Sequence, residues 1–234
     1  MPGDVRTRAR PGVREKVKKV KKVKKVKKVK KVKKVKKVKK VKMEAHLVPS
    51  LRKAIEFLEG AGFRYAIVGG IALAQWGFAR VTYDVDIRIF VPDTNYAQTR
   101  ATIRAAFPEP AREHLKAHPF VVAVEIDHVI VDFLLAGPGY EEQIIERAVR
   151  KEMGGWSAWV CTAEDLLIQK VYSRREKDWL DIEALLIEQW NHLDQDYVRY
   201  WIEQFAEALQ APEILDRYQR LAARVQQLPR KKTK

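Results

Sequence analysis

The stretch VTYDVDIRIF, residues 81–90, alternates. In a strand Val85, Ile87 and Ile89 point one way, and Asp84, Asp86 and Arg88 the other. At roughly 3.3 Å per residue, the two carboxylates start about 6.6 Å apart on one face. They either face water or converge on something positive, and the strand alone does not decide. Arg88 shares their face and takes no assigned role from the pattern.

Upstream, RYAIVGG (64–70) reads as a short buried strand closed by two glycines, and GIALAQWGF (70–78) as a short helix. Gly69 and Gly70 would let a ligand approach the backbone, and the helix start offers N–H groups to an anion. Downstream, VIVDFLLA (129–136) places Asp132 between apolar neighbours, which is costly unless it is paired or solvated. A lone D-x-D on an alternating strand is usually structural, and a Gly pair is usually only a turn. Three aspartates behind a phosphate cradle, in this order, fit metal-assisted nucleotidyl transfer better. Asp84 and Asp86 would hold Mg²⁺, or Mn²⁺ in its place, over a triphosphate. Asp132 would help hold a second ion or take the acceptor's proton.

The full run VGGIALAQWGFARVTYDVDI resembles the signature of the DNA polymerase β-like nucleotidyltransferase superfamily, and most resembles the branch of AbiEii-type toxins and minimal nucleotidyltransferases. The resemblance implies that Gly69 and Gly70 bind the nucleoside triphosphate (NTP) and that Asp84 and Asp86 bind metal. Asp132 matches the third carboxylate. Arg80 and Thr82 match the lead-in R-x-T-x-D, without a role legible in sequence. The second glycine replaces a serine seen in many members of the superfamily.

A later block, DLLIQKVYSRREKDWLDIEALL, resembles the branch's lysine followed by R-x-K-D-x-x-D. On one unbroken helix Lys170, Arg174, Lys177 and Asp181 fall within about 60° of one another, with Asp178 at the margin. Periodicity alone reads this as a solvated charged face. The resemblance assigns Lys170 to the triphosphate and makes Arg174, Lys177, Asp178 and Asp181 further site candidates. It also implies an RNA or tRNA acceptor and a cognate antitoxin as partner. Two rivals remain: an aminoglycoside-type antibiotic adenylyltransferase, and a non-catalytic nucleic-acid-binding protein with a polybasic tail.

The other elements follow from period and punctuation. Helices are expected over 50–62, 95–107, 140–155 (stopped by two glycines), 162 to about 190, 196–210 and 212–228. Strands are expected over 120–126, 129–136 and 156–161, the first two forming a hairpin through Asp127 and His128. Strands thus gather in the first two-thirds and helices in the last third. The expected fold is α+β: a mixed sheet of nucleotidyltransferase type with flanking helices and a helical C-terminal part. The expected division is a basic tail over 1–42, a core over 43–162 and a helical region over 163–234.

The net charge of +16 misleads about partners. Residues 1–42 hold 22 of the 46 basic and 2 of the 30 acidic residues, so the remainder carries a net of −4. From Val17 to Lys42 the tail repeats Val-Lys-Lys, which builds neither a helical nor a strand face, so disorder is expected. It reads as an expanded repeat or misplaced start without a role, or as a non-specific polyanion tether. Cys161 is the only cysteine, which excludes an intrachain disulfide and a Cys-rich zinc site. His114 and His118 read as surface residues, and the tryptophans as packing residues. No apolar run approaches the ~18 residues of a membrane span, and the basic N-terminus lacks a signal peptide's apolar segment. No membrane partner and a cytoplasmic location are expected.

Overall fold

The computed structural model describes residues 47–228. The Val-Lys-Lys tail and the expectation of its disorder lie outside the described residues.

Helix α1 (47–60) buries Leu47, Leu51, Ala54, Ile55 and Leu58, an i, i+4, i+7 stripe that faces the core. Strand β1 (Tyr65–Ile67) leads into α2 (Gly69–Gln75), and β2 (Asp84–Ile89) returns antiparallel to β1. Helix α3 (Tyr96–Ala106), capped by the Asn95 side chain, leads to the hairpin β3 (Val121–Ile126) and β4 (Val129–Leu135). Both turn residues of that hairpin, Asp127 and His128, have positive φ (50° and 63°). Neither is glycine, but Lys53 holds Asp127 at 2.7 Å.

After β4 come α4 (Tyr140–Glu146), β5 (Val149–Glu152) and β6 (Ser157–Val160). Four helices follow: α5 (Ala163–Tyr172), α6 (Asp178–Gln189), α7 (Gln195–Ala208) and α8 (Pro212–Gln226). The six strands form one mixed sheet in the order β3-β4-β2-β1-β6-β5, with β2 parallel to β4. This is the expected α+β arrangement, a mixed sheet with flanking helices and a helical C-terminal part.

The parity of β2 sets the two sheet faces. Val85, Ile87 and Ile89 are fully buried, as are Val131 and Phe133 on β4. On that side Phe133 stacks on Phe107, which meets Phe57 of α1 edge-on. The opposite face carries Asp84, Asp86, Arg88 and Asp132.

The C-terminal helices pack into the same apolar core as the strands. Tyr140 and Tyr172 meet Trp201 and Phe205 of α7 in an aromatic cluster. Beneath it the buried Asp165 accepts hydrogen bonds from the hydroxyls of Thr162 and Tyr197 and from the Arg147 guanidinium. Trp76 donates to the Cys161 carbonyl, and Gln189 donates back to the Trp76 carbonyl, both at 2.9 Å. Cys161 and Trp179 are buried, whereas Trp159 is 38% exposed beneath the Arg150 guanidinium. Among the described residues no helix is long and apolar enough to cross a membrane.

Two expected helices are corrected. The helix over 140–155 ends at Glu146, and its second half is strand β5, paired antiparallel with β6. Gly154 and Gly155, both at positive φ, make the hairpin turn instead of stopping a helix. Residues 149–152 show the alternation of an edge strand, with Lys151 lying over the Trp76 ring at 3.6 Å. The helix over 162–190 is broken between Tyr172 and Asp178, where Arg174 takes φ 58°. The buried Asp178 carboxylate favours the break by collecting hydrogen bonds from Ser173, Arg175 and Lys170.

Candidate active site

The parallel pairing of β2 with β4 puts Asp86 directly opposite Asp132, with Asp84 opposite Ile130. Residues 84, 86 and 132 therefore share one face by register alone. Gly69 has φ 64°, and a Cβ there would lie 2.0 Å from the Asp86 carboxylate, so the chain needs glycine for both backbone and space. A Cβ on Gly70 would meet Thr82 Oγ1 at 2.6 Å. A side chain at 70 would therefore crowd Thr82. The Thr82 hydroxyl donates to Asp84 Oδ1 at 3.2 Å, so the lead-in threonine steadies the first carboxylate.

The three acids are short of positive charge. Burial pushes the Asp86 carboxyl up to about 6, and the charges of Asp84 and Asp132 add to the shift. Burial also raises Asp132, against the opposing pull of Arg112. Asp132 Oδ1 is buried and has no hydrogen-bond partner. Arg112 Nη2 lies 3.1 Å from both Asp84 Oδ2 and Asp132 Oδ2. Among the described residues, no three acidic, histidine or cysteine side chains yet converge as a metal cage. The orphaned acceptor and the like-charge strain nevertheless fit a divalent cation, which would be held by Asp84, Asp86 and Asp132.

A second polar cluster lies where α5 meets α6. Lys170 Nζ is 2.7 Å from Asp181 and 3.3 Å from Asp178, and all three residues are buried. Arg80 reaches Asp181 at 3.0 Å and Arg175 reaches Asp178 at 2.6 Å. Burial alone would raise the Asp178 carboxyl, but the Ser173 hydrogen bond and the charges of Lys170 and Arg175 hold it below its ordinary value. A cavity of about 670 Å³ joins the two clusters. Gly69, Gly70, Thr82, Asp84 and Asp86 line one part of it, and Arg80, Lys170, Arg175 and Lys177 another.

A family model described as "Nucleotidyl transferase of unknown function (DUF2204)" matches residues 47–220. The chain belongs to that family. The match spans both clusters, the strands and all but the end of α8. No curated protein matches the sequence. Among solved structures, an antigenic nucleotidyltransferase-like protein from Paracoccidioides brasiliensis is similar at 18% identity and a TM-score of 0.45, over 72% of this chain and 93% of that one. ANT(2")-Ia in complex with adenylyl-2"-tobramycin is similar at 16% identity and 0.48, over 70% and 98%. The solution structure of the antibiotic-resistance factor ANT(2'')-Ia is similar at 17% identity and 0.49, over 73% and 97%. The assignment of this nucleotidyltransferase rests on the family model.

Of the residues singled out in the sequence, Asp132, Asp178 and Asp181 lie behind the cavity wall in contact with the cations of the two clusters, and Arg174 joins neither cluster. The break before α6 turns it to Glu213 on α8, and it is mostly exposed. Its neighbour Arg175 takes the inward position, and Asp178 moves from the margin to the buried centre. Arg88 is not an idle side chain either: it is buried and paired with Glu141. Arg112 carries no sequence signal, since the Pro-bounded connection around it has no periodicity. His114 and His118 lie around a single 3₁₀ turn and not on an α-helix.

Proposed function

We propose that this nucleotidyltransferase moves a nucleoside monophosphate from an NTP to an acceptor hydroxyl at Asp84, Asp86 and Asp132. The single observation that carries the reading is the orphaned Asp132 oxygen on the strand position opposite Asp86, a strained acid that lines a cavity whose other wall is cationic. A divalent cation, Mg²⁺ or Mn²⁺, would neutralise the acids and withdraw charge from the phosphates it touches.

The protein's own residues divide the remaining work. Gly69 and Gly70 let the phosphates approach the backbone at the start of α2. Lys177 and Arg175, on the cavity wall, draw the polyanion in. Lys170 and Arg80 act at closer range, with part of their charge already neutralised by Asp178 and Asp181. The acceptor oxygen forms a bond to the α-phosphorus as the bond from that phosphorus to the bridging oxygen breaks, and pyrophosphate leaves. Asp132, whose carboxyl is raised by burial, receives the hydroxyl proton.

The D-x-D block together with the Lys170 to Asp181 block supports the AbiEii-like branch, with RNA or tRNA as acceptor and a cognate antitoxin as partner. Incubation of the protein with each α-labelled NTP, divalent cation and separate pools of RNA, tRNA and small hydroxylated molecules tests this. Label should enter an RNA pool from wild type and not from Asp84→Asn. Label entering only a small molecule would replace the toxin reading with that of an antibiotic-type adenylyltransferase. Absence of NTP binding and of labelling in every pool would leave the fold without the chemistry.

A further inference from the structure

Arg112 is held where a cation is needed. Ala111 N donates to the Ala123 carbonyl at 3.2 Å, Glu125 N donates to the Glu109 carbonyl at 2.9 Å, and Pro110 bridges to Val124. Residues 109–111 are thus laid along the free edge of β3. From there the Arg112 side chain crosses to β4 and β2, and one nitrogen sits 3.1 Å from both Asp132 and Asp84.

The arrangement is incomplete on both sides. Arg112 Nε is buried without a partner, and so is Asp132 Oδ1. One monocation serves two of the three carboxylates, and no hydrogen bond links it to Asp86. A half-buried guanidinium with its Nε donor unfilled and a buried acid with an acceptor unfilled mark a state that each partner could leave for a better one.

We propose that Arg112 is the resident counter-ion of this acid triad. It holds Asp84 and Asp132 facing each other before the divalent cation arrives, and it is displaced when the cation binds. Arg112 is thus a positioning residue that sets the threshold for metal binding. The inference rests on the reading of Asp84, Asp86 and Asp132 as the metal-holding group. Because the backbone on its N-terminal side is pinned to β3, the exchange is a rotation of one long side chain and needs no loop opening.

The test is Mn²⁺ binding by the full chain without nucleotide, followed through the free-ion electron paramagnetic resonance signal. Melts in EDTA and in Mn²⁺ accompany it. Arg112→Gln and Arg112→Ala should bind Mn²⁺ about tenfold more tightly than wild type, since the ion no longer competes with a fixed positive charge. Both should melt lower than wild type in EDTA and gain more from Mn²⁺. Arg112→Lys, which keeps the charge without the fork, should lie between and serves if the other two do not fold. Equal or weaker Mn²⁺ binding by folded Arg112 variants overturns the inference, and leaves the metal reading standing if Asp84→Asn has lost the ion. If wild type binds Mn²⁺ no better than Asp84→Asn, the metal reading falls and this inference with it.

Discussion

Two acidic clusters share one cavity, and they are built in opposite ways. Around α5 and α6, two buried aspartates receive Lys170, Arg80, Arg175 and the Ser173 hydroxyl, and Asp178 ionises more readily than an ordinary carboxyl. On the sheet, one guanidinium reaches Asp84 and Asp132 but not Asp86, Asp86 is pushed up to about 6, and an oxygen of Asp132 has no partner. Both sets arose from similar sequence material: carboxylates at short spacing beside apolar residues. One cluster answers its charges internally, as a structural network does, and the other leaves them open, as a candidate ligand site does.

The comparison breaks first on activity. Asp84→Asn or Asp132→Asn should lower NTP-dependent labelling by about a thousandfold or more, on the scale of several kcal/mol of lost transition-state stabilisation. Circular dichroism should still show the wild-type fold. Equal labelling by wild type and Asp84→Asn would remove the sheet cluster from the chemistry.

The next effect lies in the other cluster. Lys170→Met removes the cation shared by Asp178 and Asp181 and leaves two buried carboxylates undercompensated. It should cost about 3–5 kcal/mol and lower Tm by roughly 10 °C, read in a thermal melt without nucleotide. A variant that melts like wild type and only weakens NTP binding would make Lys170 a pure phosphate contact, as the family resemblance alone implies.

A smaller effect of opposite sign is expected at Asp86. A carboxyl raised to about 6 binds protons more tightly folded than unfolded, so its contribution to stability is largest below the unfolded value and is lost as pH rises through about 6. Without divalent cation, Asp86→Asn should therefore stabilise the protein at pH 7, by roughly 1–3 kcal/mol. The gain should shrink towards zero near pH 4. Melts of both proteins in EDTA across that range check it, and a gain independent of pH would contradict it.

The smallest change is Arg174→Ala. Its pair with Glu213 is exposed, so a melt should shift by no more than about 0.5 kcal/mol and labelling should stay at the wild-type level. A strong loss of labelling would put Arg174 back among the site residues and question the turn that carries it outward.

The placement of Asp84 and Asp86 on one face was legible in the sequence because strand parity is local. Asp132 joins them only through the parallel register of β2 and β4, which lies outside any local period. The need for Gly69 was legible as a turn, though its closeness to Asp86 was not. Other features required the tertiary structure. Residues 149–152 alternate too briefly to outweigh the helix before them, and become a strand only because β6 offers a ladder. Nothing within residues 172–178, which include neither glycine nor proline, signals the break before α6. It forms because a buried Asp178 gains more from three donors than an unbroken helix would return. That break decides whether Arg174 or Arg175 faces the cavity. Arg112 is likewise invisible to any period, since residues far apart in the chain brought it within 3.1 Å of two aspartates. Alternation and glycine turns act between neighbours along the chain, so the sequence by itself determined which face of β2 carries acid. How those charges are answered depends on residues 28 and 101 positions away, as for Arg112 with Asp84 and Arg80 with Asp181, and only the tertiary structure decided it.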